Sequence, residues 1–277
     1  MTSDLTARSS SSIQPEKRGR PATRVIVLAM ALSAAGTLAQ AQAEPDDAKT
    51  ILKSMSDYVA SQTTIALDFD SSIEVITPQL EKIQFTNSGG VLLSRPDKLR
   101  AHRIGGYAEV EMIFDGKTVS VLGKHINAYA QFDGPASVDD LIEALRAGHG
   151  VALPGADLLL SNSYEVLVDG VLEAKHIGRG VIDGVECEHL AFRNLDTDWQ
   201  LWVEVGEHPI PRKLVITSKT MNSAPQYTLH VKDWKTDVEP AADAFAFIPP
   251  AGARRLEPDD LMDLDELPPG APIGESK

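Results

Sequence analysis

The sequence predicts a mainly β (α+β) fold: one strongly curved antiparallel sheet with helices over its long apolar face. Three observations predict it. From Ile65 onward apolar residues recur with period two, the mark of strands with one buried face. Asp-Gly pairs stand between the alternating runs, where hairpin turns need positive φ. Helical signals are confined to two stretches, 46–61 and 137–160. A sheet whose apolar side is this long cannot leave it wet, so those two stretches must cover it.

In chain order, residues 1–43 come first. Lys17, Arg18, Arg20 and Arg24 make a positive flank, an apolar run follows from Val25 to Ala39, and Ala39-Gln-Ala41-Gln-Ala43 offers small residues for cleavage. These are the three parts of a secretory signal. The run is about 15 residues, short of the ~20 that a membrane-spanning helix needs. No Cys follows it, so no lipid-modified N-terminus is expected. The organisation read from the chain is a cleaved signal over 1–43, a folded domain over 44–253 and a tail over 254–277.

Residues 46–61 read as an amphipathic helix, with Ala48, Ile51, Leu52, Met55, Tyr58 and Val59 at helical spacing and Asp46 and Asp47 at the anion-favouring N-terminus. Ile65, Leu67, Phe69, Ile73 and Val75 then share one strand face, against Asp68, Asp70, Ser72 and Glu74 on the other. Ile83, Phe85, Val91 and Leu93 repeat the pattern, as do Val110, Met112 and Phe114 against Glu109 and Glu111. Asn87-Ser-Gly-Gly90 predicts a bulge or bend, and Asp115-Gly116, Asp169-Gly170 and Asp183-Gly184 predict turns of type I′. Ser137 is placed to cap a helix over 138–147 that Gly148 can end, and a short helical or irregular piece follows at 156–160. Strands resume at about 173–182, 185–195, 198–205, 212–220 and 226–235. Trp199, Leu201 and Val203 fall on one face, and Gln200, Trp202 and Glu204 on the other. Cys187 and His189 are read onto the apolar face of their strand. Residues 254–277 are acidic and proline-rich, with the composition of a solvated, mostly disordered tail.

Charge excludes several partners. The chain has 26 basic and 40 acidic residues, a net −14, and cleavage after Ala43 would remove five basic and two acidic groups, leaving −17. Repulsion at that level argues against nucleic acid and anionic membrane surfaces. Cys187 is the one cysteine, so no internal disulfide can form and the domain must stand on its core. Catalytic signatures are missing: no Gly-x-Ser-x-Gly elbow, no His-Glu-x-x-His, no phosphate-binding glycine loop and no dinucleotide fingerprint. Cys187 and His189 supply two ligands of an incomplete zinc site and read as packing residues. His102, His125, His149, His176, His208 and His230 read as surface or loop histidines, and the acid pairs Asp68/Asp70 and Glu109/Glu111 as wet strand faces. Neither an enzyme, a cofactor nor a metal is expected.

One stretch resembles a known family. It holds Trp199-Gln-Leu-Trp202 and Pro209-Ile-Pro-Arg-Lys-Leu214, and is joined by Pro225-Gln-Tyr227, Trp234 and Phe245-Ala-Phe-Ile-Pro-Pro-Ala-Gly252. Over most of 44–255 the chain resembles a family of predicted periplasmic bacterial proteins of unknown function. That family is grouped with the LolA/LolB lipoprotein-carrier superfamily, which also holds the sensor domain of RseB. The resemblance implies a half-open β-barrel whose concave apolar face is plugged by helices, a cavity for acyl chains, and an arginine that tethers the plug. Arg95, Arg100 and Arg103 lie in the right region for that arginine. The expected ligand-facing residues are Ile73, Val75, Phe85, Val110, Met112, Phe114, Leu201, Val203 and Leu229. The expected function is a periplasmic carrier or sensor of lipid or of a lipoprotein's acyl chains. The alternative is a regulatory interaction protein that offers its curved sheet to an envelope protein.

Overall fold

The computed structural model describes residues 45–149 and 154–257. α1 (Pro45–Ser61) precedes six strands, β1 (Thr64–Ile76), β2 (Lys82–Ser94), β3 (Lys98–Gly105), β4 (Glu109–Phe114), β5 (Thr118–Gly123) and β6 (Ala128–Asp133). A helical stretch follows: α2 (Val138–His149), a 3₁₀ turn at Ala156–Leu159, and α3 (Ser163–Val168). Then come β7 (Glu173–Ile182), β8 (Val185–Arg193), β9 (Thr197–Glu204), β10 (Pro211–Ser218), β11 (Gln226–Thr236) and the two-residue β12 (Arg254–Arg255).

All twelve strands form one open, curved sheet in the order β12-β6-β5-β4-β3-β2-β1-β11-β10-β9-β8-β7. Two antiparallel meanders, β1–β6 and β7–β11, meet where β1 pairs with β11. β1 and β2 pair along 13 residues each without a break, so the alternation read from their sequences holds along the whole length. Ile65, Leu67, Phe69, Ser71, Ile73 and Val75 face one side, and register carries that side across the sheet. It reaches Leu93 and Phe85 on β2, Leu99 on β3, Phe114 and Met112 on β4, and Leu229 on β11.

The helices cover this side. Ala48, Leu52, Met55 and Val59 of α1 repeat at spacings of four and three and have no exposed surface. α1 lies against β7, β8, β9 and α3. Val138, Leu141, Ile142 and Leu145 of α2 join the same core with Leu158 and Leu160. Burying each large side chain stabilises by about 1.5–3 kcal/mol, so the helices and the sheet hold one another in water. Ser137 caps α2 as expected. Its Oγ accepts from the Asp140 amide at 3.1 Å and donates to the Asp140 carboxylate at 2.7 Å.

Several expectations are corrected. Asn87-Ser-Gly-Gly90 carries no bulge, because its glycines make room instead. A side-chain carbon on Gly89 would lie 2.5 Å from the Phe69 ring. Bulges occur at Ala66/Asp68, His176/Gly178 and Pro211/Lys213. Asp183 and Gly184 both take positive φ, as the type I′ reading requires. At Asp115-Gly116 only Gly116 does, and the Asp115 carboxylate accepts from the amides of Lys117 and Thr118 instead. Asp169-Gly170 follows α3 rather than joining two strands. Two residues read as the start of the tail are in the sheet. Arg254 and Arg255 pair with β6, and the Leu256 amide donates to the Tyr129 carbonyl at 2.8 Å. Residues 1–43 and most of the tail lie outside the described residues.

Candidate functional site

The candidate site is the covered face of the sheet together with the helices that cover it. All nine residues expected to meet a ligand lie on this face by register. The helices divide them into two groups. Phe114, Leu201 and Val203 are at most 1% exposed, and Val75 and Leu229 are also buried. Ile73, Phe85, Val110 and Met112 are half-buried. Nearby, Phe85 meets the exposed Tyr107 edge-on at 5.8 Å between centroids, and Ile83 is exposed. The face therefore runs from a filled interior to an apolar rim.

The helical cover is fastened by polar groups, and Arg95 is their hub. It sits just after β2, and its amide bonds the Thr63 carbonyl, extending the β1–β2 ladder by one step. Its Nε donates to the Gln62 carbonyl at 3.2 Å, at the exit of α1, and its Nη2 to the Leu159 carbonyl at 2.6 Å, at the end of the 3₁₀ turn. Nη1 lies 3.7 Å from Asp139 in the first turn of α2. One side chain, 14% exposed, thus meets the three covering segments. Burial holds its guanidinium below its ordinary pKa, while Asp139 pulls the other way. Of the three candidate arginines, Arg95 has this geometry. Arg100 pairs with Glu111 at 2.7 Å on the opposite face and donates to the Ala244 carbonyl. Arg103 faces the covered side between Gly89 and Val110.

Further fastenings support the hub. Asp139 accepts from the Ser161 amide and hydroxyl. Arg146, near the end of α2, meets Asp157 of the 3₁₀ turn at 2.7 Å. Sequence reasoning did not assign Asp139, Arg146, Asp157 or Ser161. Their one legible signal is that opposite charges flank the same short stretch.

The opposite face is polar. Asp70, Ser72, Gln84, Thr86, Ser88, Ile104, Thr228 and His230 border an open trough of about 580 Å³, and its floor also touches Ser71, Asn87 and Gly105. Asp70 accepts from Ser88 and Lys232, and these hydrogen bonds, with the Lys232 charge, lower its pKa. Glu109 pairs with Lys124 at 3.1 Å. The acid pairs lie on this face as their spacing suggests, but Glu111 is not wet: its side chain is 12% exposed, packed beside Arg100.

Cys187 and His189 also lie on this opposite face, which corrects the reading of β8. Leu190 and Phe192 are its inward residues, paired with Leu201 and Trp199. Cys187 is nevertheless fully buried, and that burial raises its pKa. His189 stacks on Trp202 at 4.1 Å and meets Gln200 at 2.9 Å. Trp199 and Trp202 point to opposite sides as expected, Trp199 stacking on Phe192 at 3.9 Å. Of the histidines read as surface or loop residues, His102, His176 and His230 lie on strands, and the last two pair with Glu188 at 2.7 Å and Asp183 at 2.9 Å. Among the described residues no group of three or more His, Cys, Asp or Glu is arranged to hold a metal. No helix among them is long and apolar enough to cross a membrane.

A family model described as "Predicted periplasmic protein (DUF2092)" matches residues 48–257. No curated protein matches the chain. Among solved structures, an uncharacterised conserved protein from Thermus thermophilus is similar at 10% identity and a TM-score of 0.44, covering 76% of this chain and 99% of that one. The Mycobacterium tuberculosis lipoprotein LppX is similar at 16% identity and a TM-score of 0.44, covering 71% and 99%. A LolA superfamily protein from Nitrosomonas europaea is similar at 12% identity and a TM-score of 0.33, covering 72% and 97%. Likenesses at these scores say nothing of function.

Proposed function

We propose that this chain, which belongs to the DUF2092 family of predicted periplasmic proteins, is a non-catalytic carrier or sensor that binds lipid or the acyl chains of a lipoprotein. One observation carries the reading: an apolar sheet face is closed by short helical segments that a single arginine fastens at three points. Displacing those segments with an acyl chain exchanges one apolar cover for another, so the apolar contribution nearly cancels. What remains is the cost of undoing a few polar contacts. Ligand would replace plug, entering over the half-buried rim of Ile73, Phe85, Val110 and Met112. Phe114, Leu201, Val203, Val75 and Leu229 would meet it once the cover has moved.

Met112→Glu tests the rim. Met112 is half-buried, so a carboxylate there keeps access to water and the fold should survive. Binding of a fluorescent fatty-acyl probe to this variant should weaken by about tenfold, the equivalent of ~1.4 kcal/mol. Glu109→Gln, on the opposite face of the same strand, should leave it unchanged. Equal binding by both variants would remove the rim from the account. If no probe binds the parent either, the curved sheet is better read as a platform for an envelope protein.

The proposal places the protein in the periplasm after cleavage of residues 1–43. Sequencing the N-terminus of envelope-localised protein should find Glu44, or a residue within a few positions of it. Finding Met1 or Thr2 would contradict cleavage.

A further inference from the structure

One row of the covered face is unlike the rest. Register aligns Leu190, Leu201, Leu214, Leu229, Ser71, Asn87 and Gly105 across seven neighbouring strands. The four leucines make an apolar lane, each at most 9% exposed. The lane ends on Ser71 and Asn87, which are directly opposite each other on β1 and β2 and are 4% and 5% exposed. The Ser71 hydroxyl and the Asn87 side-chain nitrogen are buried with no hydrogen-bond partner. Gly105 completes the arrangement, because a side-chain carbon there would lie 2.0 Å from Asn87 Oδ1.

Buried polar groups are ordinarily paired, and leaving one unpaired is unfavourable. Two adjacent unpaired donors at the end of an apolar lane favour an incoming group that is apolar along its length and carries an acceptor at its head. We infer that Ser71 and Asn87 form a polar station for the carbonyl oxygen of an acyl linkage, so the ligand class is an acyl ester or amide rather than a bare hydrocarbon chain. This inference rests on the acyl-binding reading proposed above. It deepens that reading by giving the exchange a direction. With the plug in place both donors are unmet, and with an acyl linkage in the lane both are met. The Asn87 amide and the Ser71 hydroxyl each donate to the carbonyl oxygen, which has two lone pairs to accept them.

The test compares two fluorescent probes, a long-chain acyl glycerol ester and the matching alkyl glycerol ether, which lacks only the carbonyl. Parent protein should bind the ester about tenfold more tightly than the ether, as expected when a site's buried donors lose their acceptor. Asn87→Ala and Ser71→Ala should each bring the two affinities together by weakening the ester alone. Because neither variant removes a paired group, melting temperatures should stay near the parent's, which separates recognition from a merely structural role. Asn87→Leu serves as a second variant at that position if Asn87→Ala folds poorly. If the parent binds ester and ether equally, the station is overturned while acyl binding stands. If the parent binds neither probe, the acyl reading fails and the station fails with it.

Discussion

Leu201→Glu is expected to leave no folded protein. Leu201 is on β9, fully buried between Leu190 and Leu214, and belongs to the main core cluster. Removing a leucine side chain from such a site costs about 2–5 kcal/mol. A carboxylate in its place must also be desolvated or take up a proton, which adds several kcal/mol. Domains of this kind are stable by about 5–15 kcal/mol, so the sum reaches the whole margin. Circular dichroism and soluble yield check it: the variant should show no cooperative melt. A melt within a few degrees of the parent's would mean that the face is open where it is described as filled. Met112 shares that face, yet the same substitution should be tolerated there, because the helices leave the rim half-covered.

Arg95→Leu should lower stability by roughly 2–4 kcal/mol. The variant leaves the Gln62 and Leu159 carbonyls without their charged donor and Asp139 without its cation, in a part-buried place. Arg95→Lys should restore little of this, since one ammonium cannot span three acceptors that a planar guanidinium reaches together. Urea denaturation measures the loss. Stopped-flow uptake of an acyl probe should show faster entry in Arg95→Leu, because the fastening of all three covering segments has been released. A loss below about 0.5 kcal/mol, of the size seen for surface changes, would remove Arg95 from the centre of the account.

The sequence made some of this legible and hid the rest for physical reasons. β1 could be read because six inward positions alternate with Asp68, Asp70, Ser72 and Glu74, leaving one way to face it. β8 is hard to orient from sequence because Cys187, His189 and Ala191 are small or amphipathic. Its two strongest apolar residues, Leu190 and Phe192, carried the correct parity. The glycines of Asn87-Ser-Gly-Gly90 carry the same letters whether they serve a bulge or the ring of Phe69. The helix capped by Ser137 was legible from local chemistry, whereas α3 is six residues long and too short to show a period. The face of each expected ligand residue followed from parity, but its depth depends on where the helices dock. Arg95 could not be told from Arg100 or Arg103, because its acceptors lie 33 and 64 residues away. Ser71 and Asn87 fall on the inward parity, but a polar residue at an inward position carries no periodic signal of its own.

The central claim is that ligand replaces plug, and a reversible pin tests it most directly. α1 lies against β7, so an engineered cysteine pair joining the two, made in a Cys187→Ala background, would hold the cover in place when oxidised. The oxidised protein should take up little or no fluorescent fatty-acyl probe, and the reduced protein should take it up at the parent's level. Equal uptake by the oxidised and reduced forms, or none by either, would contradict it.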